Sequence, residues 1–130
     1  MIGVVIVTHG ALATAFTAAL EHIVGPQEGW ASICIDAHDD MTRKRQEILE
    51  AVQAVNTGEG VAVLTDMFGG TPSNLAIAAM GENPVEVLAG LNLPLLVKLA
   101  QCRHMPLADA VRHAEEAGRK YIKVVSNLLD

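Results

Sequence analysis

A chain of 130 residues with a formal net charge of −6 has the size of one domain. Apolar residues make up 51% and charged residues 18%, which excludes a disordered chain and a coiled coil. The acidic balance lacks the positive footprint of a nucleic-acid binder, and Arg43, Lys44 and Arg45 read as a solvated helix face.

Ile2–Val7 predicts a first strand. This apolar start lacks a charged leader and is too short for a signal peptide or a membrane span, so a cytoplasmic chain complete from Met1 is expected. Leu12–Val24 predicts a helix ended by Gly25-Pro26, and Ala31–Ile35 a second strand. Asp40 is placed to cap a helix over Met41–Val55, whose Ile48, Val52 and Val55 share one face. Gly58 and Gly60 bracket the turn into Val61–Thr65, the third strand. Thr71 is expected to cap a helix with Pro72 at its first position, running to about Met80. Val85–Ala89 predicts a fourth strand, and a helix follows Pro94 to about Cys102. Pro106 opens another helix to about Ala117, with Gly118 as its stop. Tyr121–Val125 is rich in β-branched residues and reads either as a last strand or as more helix.

Apolar runs alternating with amphipathic stretches are the pattern of an α/β domain with a parallel sheet, here one domain over residues 1–130. Aromatics are only 3%, so the interior falls to Val, Ile, Leu and Ala, as in buried parallel strands. Ligands of such sheets bind beyond the carboxyl ends of the strands. Strand one ends in Thr8-His9-Gly10, strand three in Thr65-Asp66 and strand four in Gly90-Leu91-Asn92. If strands one and three are neighbours, His9 and Asp66 face each other. A carboxylate that accepts the Nδ1–H of an imidazole fixes its tautomer and leaves Nε2 as a free lone pair. The helix starts after Gly10 and after Gly69-Gly70-Thr71 offer backbone N–H groups and a hydroxyl to a phosphate.

His9 and Asp66 are therefore the candidate catalytic pair, with Gly10, Gly69, Gly70 and Thr71 around the phosphate. Each has a plainer reading: a structural histidine, an aspartate closing its own turn, glycines kept for backbone geometry. Their coincidence at matching strand ends favours reversible phosphoryl transfer. Met67 and Phe68 lie in the same loop, either buried or exposed as a docking surface for a protein partner. His38 shares no metal-ligand spacing with His9, and His22, His104 and His113 read as surface residues. Cys34 and Cys102 are far apart without a CxxC, as free thiols. Neither a metal nor a cofactor is expected.

The Thr8-His9-Gly10 strand end, the Asp66-Met67-Phe68-Gly69-Gly70-Thr71-Pro72-Ser73-Asn74 segment and Gly90-Leu91-Asn92-Leu93-Pro94 carry a family resemblance. In order and spacing the chain resembles the mannose-family enzyme IIA domains of the bacterial phosphoenolpyruvate-dependent sugar phosphotransferase system. The resemblance implies that His9 takes phosphate on Nε2 from the phosphocarrier protein HPr and passes it to a IIB component, in sugar uptake or regulation. Asp66 would hold Nδ1, with the Thr71 hydroxyl near the phosphate. It also implies a four-stranded parallel sheet of order 2-1-3-4, a homodimer, and membrane contact only through transporter components. An antiparallel edge strand from the C-terminal segment, with Tyr121–Val125 as its candidate, is a possible addition. Two other readings stand beside it. One is the phosphotransfer subunit of a dihydroxyacetone kinase, whose strand-three loop resembles DLGSA rather than the DMFGGTP found here. The other is a non-catalytic anion-binding module using the same helix ends.

Overall fold

A computed structural model describes residues 1–81 and 84–129. In chain order the elements are β1 (Gly3–His9), α1 (Leu12–Val24), β2 (Trp30–Ile35), α2 (Met41–Val55) and β3 (Val61–Thr65). They continue with α3 (Thr71–Ala78), β4 (Val85–Ala89), α4 (Leu93–Gln101), α5 (Leu107–Lys120) and a 3₁₀ turn at Val125–Leu128. The strands make one parallel sheet of order β2-β1-β3-β4, as expected.

The two central strands are buried on both faces, and their alternation sorts side chains into two cores. Val4 and Ile6 of β1 and Ala62 and Leu64 of β3 pack with α1, α4 and α5 through Leu20, Leu96, Leu99 and Ala114. Val5, Val7, Val61 and Val63 point the other way, onto Ile48 and Val52 of α2 and Ala76 of α3. β1 runs two residues beyond the predicted Val7, because Thr8 and His9 still pair with Cys34 and Ile35 of β2.

Local chemistry sets most helix ends. Asp40 caps α2 by accepting from the Thr42 N–H at 3.0 Å, and Asn92 caps α4 by accepting from the Leu95 N–H at 3.0 Å. Ala11, at the start of α1, has no side chain to offer. Thr8 serves instead, its hydroxyl accepting from the Ala13 N–H at 2.7 Å. Three expectations are corrected. Gly70, not Thr71, precedes α3, so Thr71 is the first helical residue, Pro72 the second, and neither makes a side-chain cap. Gly118 does not stop α5 but lies inside it, buried against Leu95, where an added Cβ would come within 3.2 Å of that side chain. The C-terminal segment is neither strand nor continued α5: after Tyr121 the chain is irregular as far as Val125. Among the described residues it pairs with no strand, and its β-branched residues are weak helix formers.

At the opposite end of the sheet from the strand tips, Arg103 is almost fully buried. Its guanidinium donates to the carbonyls of Ile2 and Gly29, both at 3.0 Å, and to Gln27 Oε1 at 3.2 Å, and it lies over the Trp30 ring. Burial lowers its pKa from the ordinary arginine value, but a guanidinium stays protonated in proteins. This one side chain ties the start of β1 to the α1–β2 connection. Arg103→Ala should cost about 2–4 kcal/mol by leaving buried carbonyls unpaired, read as a lower midpoint in urea denaturation.

Candidate functional site

The alternation that sorts the core also aims the residues at the tip of β1. Thr8 continues the Val4–Ile6 row and turns towards α1, where it caps that helix. His9 continues the Val5–Val7 row and turns towards α3. Val7 pairs with Thr65 of β3, so the residues that follow, His9 and Asp66, come together at adjacent strand tips.

The imidazole Nδ1 of His9 lies 2.9 Å from Asp66 Oδ2. The same carboxylate oxygen accepts the main-chain N–H of His9 at 3.1 Å, and Oδ1 accepts that of Met67 at 3.1 Å. Asp66 thus holds both the ring and the backbone of the histidine, and the backbone contact has no sequence signature. His9 is 47% exposed while Asp66 is only 13% exposed, so the carboxylate is set beneath the ring. With Nδ1 occupied as a donor to the carboxylate, Nε2 is the acceptor nitrogen of a neutral imidazole.

His9 also lines a cleft of about 480 Å³, with Gly10 and Thr71 on one side and Ile35, Asp36, Ala37, Asp39 and Met41 on the other. Of the predicted phosphate-binding residues, Gly10 and Thr71 share this cleft, and Gly70 abuts the imidazole edge at the start of α3. Gly69 takes a positive φ of 95° in the loop between, a turn that suits glycine. Met67 and Phe68 are exposed, Phe68 by 76%. Sequence reading missed the β2–α2 wall of the cleft, whose signal was the Asp36–Asp40 run directly after a strand. His38, His22 and His104 are exposed and contribute nothing to this geometry, and His113 lies on α5 beside Glu116. Cys34 and Cys102 are free thiols. Among the described residues no group of three or more His, Cys, Asp or Glu side chains is placed to hold a metal ion. Among them, too, no helix is long and apolar enough to cross a membrane.

The family model for the EIIA-man domain, described as PTS system fructose IIA component, matches residues 3–115. The chain belongs to the EIIA-man family. It is similar to the fructose-specific EIIA component of Bacillus subtilis, 26% identical over all of this chain and 90% of that protein. It is also similar to the mannose-specific EIIAB component of Escherichia coli, 29% identical over 95% of this chain but only 39% of that longer protein. The crystal structure of an EIIA component from Streptococcus agalactiae superposes with a TM-score of 0.88 at 30% identity, covering 98% of this chain and 99% of that one. An EIIA-man protein is a phosphotransferase component, and its place is that of a phosphoryl carrier in a sugar phosphotransferase system.

Electrostatics at the His9–Asp66 pair follow from the position of Asp66. Burial alone would raise its pKa, but the bonds from the His9 ring and main chain, with the charge of the ring when protonated, outweigh burial and hold it below the ordinary carboxylate value. A lowered folded-state value contributes stability that is fully present above the unfolded value and is lost as pH falls through the folded one. Asp66→Asn should therefore be less stable than the wild type near neutrality. The gap should close as pH drops below the ordinary carboxylate range, measured by urea midpoints at several pH values. A gap that widened in acid would contradict this assignment.

Proposed function

We propose that His9 carries the phosphoryl group on Nε2, accepting it from HPr and passing it to a IIB component, with the chain acting as a single cytoplasmic IIA domain. The observation that carries this reading is the 2.9 Å contact of His9 Nδ1 with Asp66, which leaves the other nitrogen as the nucleophile. Nε2 attacks phosphorus while the donor's bond to phosphorus breaks and the leaving group keeps its electron pair. The product ring, protonated on Nδ1 and phosphorylated on Nε2, is cationic, and the Asp66 carboxylate stabilises it. Handing the group on reverses the same changes.

The phosphate would sit by Gly10, Gly69, Gly70 and Thr71, met by neutral backbone and hydroxyl donors at helix starts. No residue lining the cleft, among those described, is Lys or Arg, and two are aspartates. A dianion held by neutral donors beside carboxylates is held loosely, which suits a group that must leave again. Exposed Met67 and Phe68 beside His9 supply apolar contact area for docking the protein donor and acceptor.

Phosphoenolpyruvate, enzyme I and HPr should label the wild type with an acid-labile phosphate, and His9→Ala should abolish the label. Asp66→Asn should slow transfer about 10–100-fold, the usual cost of removing the partner that orients a metal-bound histidine. In the same assay Phe68→Ala should raise the KM for phospho-HPr more than it lowers kcat. A stoichiometric phosphate surviving His9→Ala would falsify the assignment. Transfer to a dihydroxyacetone kinase but to no IIB component would point to the other phosphotransfer reading.

A homodimer completes the proposal. Tyr121, Ile122, Val124, Val125, Leu128 and Leu129 form an exposed apolar segment at the C-terminus. β4 is an edge strand, whose outer side could take this segment from a second copy as an antiparallel strand. Sedimentation velocity should show a dimer for the full chain and a monomer once residues 121–130 are removed; a truncated dimer would dismiss the exchange.

A further inference from the structure

Two glycines precede α3, and they differ in kind. Gly69 needs its backbone freedom: φ is +95° and an added Cβ would meet nothing within 4 Å. Gly70 has φ −93° and ψ 177°, a conformation open to any residue. What Gly70 lacks is room. A Cβ built there would lie 2.8 Å from His9 Cε1 and 3.1 Å from Nε2. The backbone thus tolerates a side chain that the imidazole does not.

We propose that Gly70 is a positioning residue acting through its absent side chain, and that its bare Cα is the second wall that keeps the His9 ring on Asp66. This rests on His9 being the reacting group, as proposed above. Asp66 holds the Nδ1 edge by attraction, and Gly70 bounds the Cε1–Nε2 edge by contact. A crowded contact is relieved by whichever group moves most cheaply. Here that group is the half-exposed end of a side chain rather than the main chain, so a methyl at position 70 displaces the imidazole and spares the fold. The displaced ring loses its 2.9 Å bond to Asp66, and with it the fixed tautomer.

This mechanism separates from a role for Gly70 as a phosphate-binding amide. Gly70→Ala keeps the N–H and removes only the space. Alanine is also a poor residue to precede a helix, whereas serine is a good one. Gly70→Ser carries the same Cβ with a capping hydroxyl, so it serves should the alanine variant fold badly.

The test is ¹⁵N NMR of the imidazole nitrogens, with phosphorylation by HPr measured alongside. In the wild type, near pH 8, His9 should show one tautomer, with a pyrrole-type Nδ1 and a pyridine-type Nε2. In Gly70→Ala and Gly70→Ser the two shifts should converge towards a tautomer average. Transfer should fall about 10–100-fold, as when a metal-bound histidine loses the partner that orients it. Far-UV circular dichroism should stay that of the wild type. Wild-type ring shifts in a folded variant, or an unchanged transfer rate, would overturn the proposal. If the wild type takes no phosphate at all, the carrier reading fails, and the ring shifts alone decide the role of Gly70.

Discussion

Parallel pairing of Val7 with Thr65 at the centre of the sheet sets the distance across which everything at the strand tips must work. Neighbouring strands lie about 4.8 Å apart, and a short acidic side chain on one tip spans that gap to a ring on the other. Asp66 does so with a single oxygen that accepts from both the ring and the main chain of His9. Because β1 and β3 are buried on both faces, their register is held by helices packed on each side. The precision of the site is inherited from the rigidity of the core beneath it.

The two ends of the sheet are held by different chemistry. At the floor, Arg103 sits among neutral carbonyls, where a buried cation is costly unless its donors are satisfied. At the mouth, the Asp66 carboxylate is shielded from water but kept ionised by what it holds. One charge ties the start of β1 to the α1–β2 connection, and the other holds His9 at the strand tips. Arg103 therefore bears on the site only through the fold, whereas Asp66 bears on both, which is why it ties stability to pH.

The order of the elements was legible in the sequence because most have a local signal: apolar runs for β1 and β3, Asp40 at the start of α2, Pro72 just inside α3. His9 and Asp66 were legible as strand-end residues once a parallel sheet was expected. The cleft wall at Asp36, Asp39 and Met41 was not, since it depends on where the β2–α2 loop folds back in space. Gly118 misled because a glycine near a helix end reads as a stop, whereas close packing on Leu95 is a tertiary reason for it. Thr71 misled by one position, since Gly70 already supplies the extended residue that begins the helix. Tyr121–Val125 has the composition of a strand, but strands form by pairing, and within this chain's described residues it pairs with none.

The alternation along β1 has a consequence for how such a site can change over time. Thr8 and His9 are adjacent in sequence and serve opposite sides of the sheet, one closing α1 and the other meeting α3. A strand counts in twos. Inserting or deleting one residue between Val4 and His9 would exchange their parity, sending the imidazole towards α1 and the threonine into the cleft. Both rows beneath these two residues are apolar, so strand parity alone decides which of them meets α3.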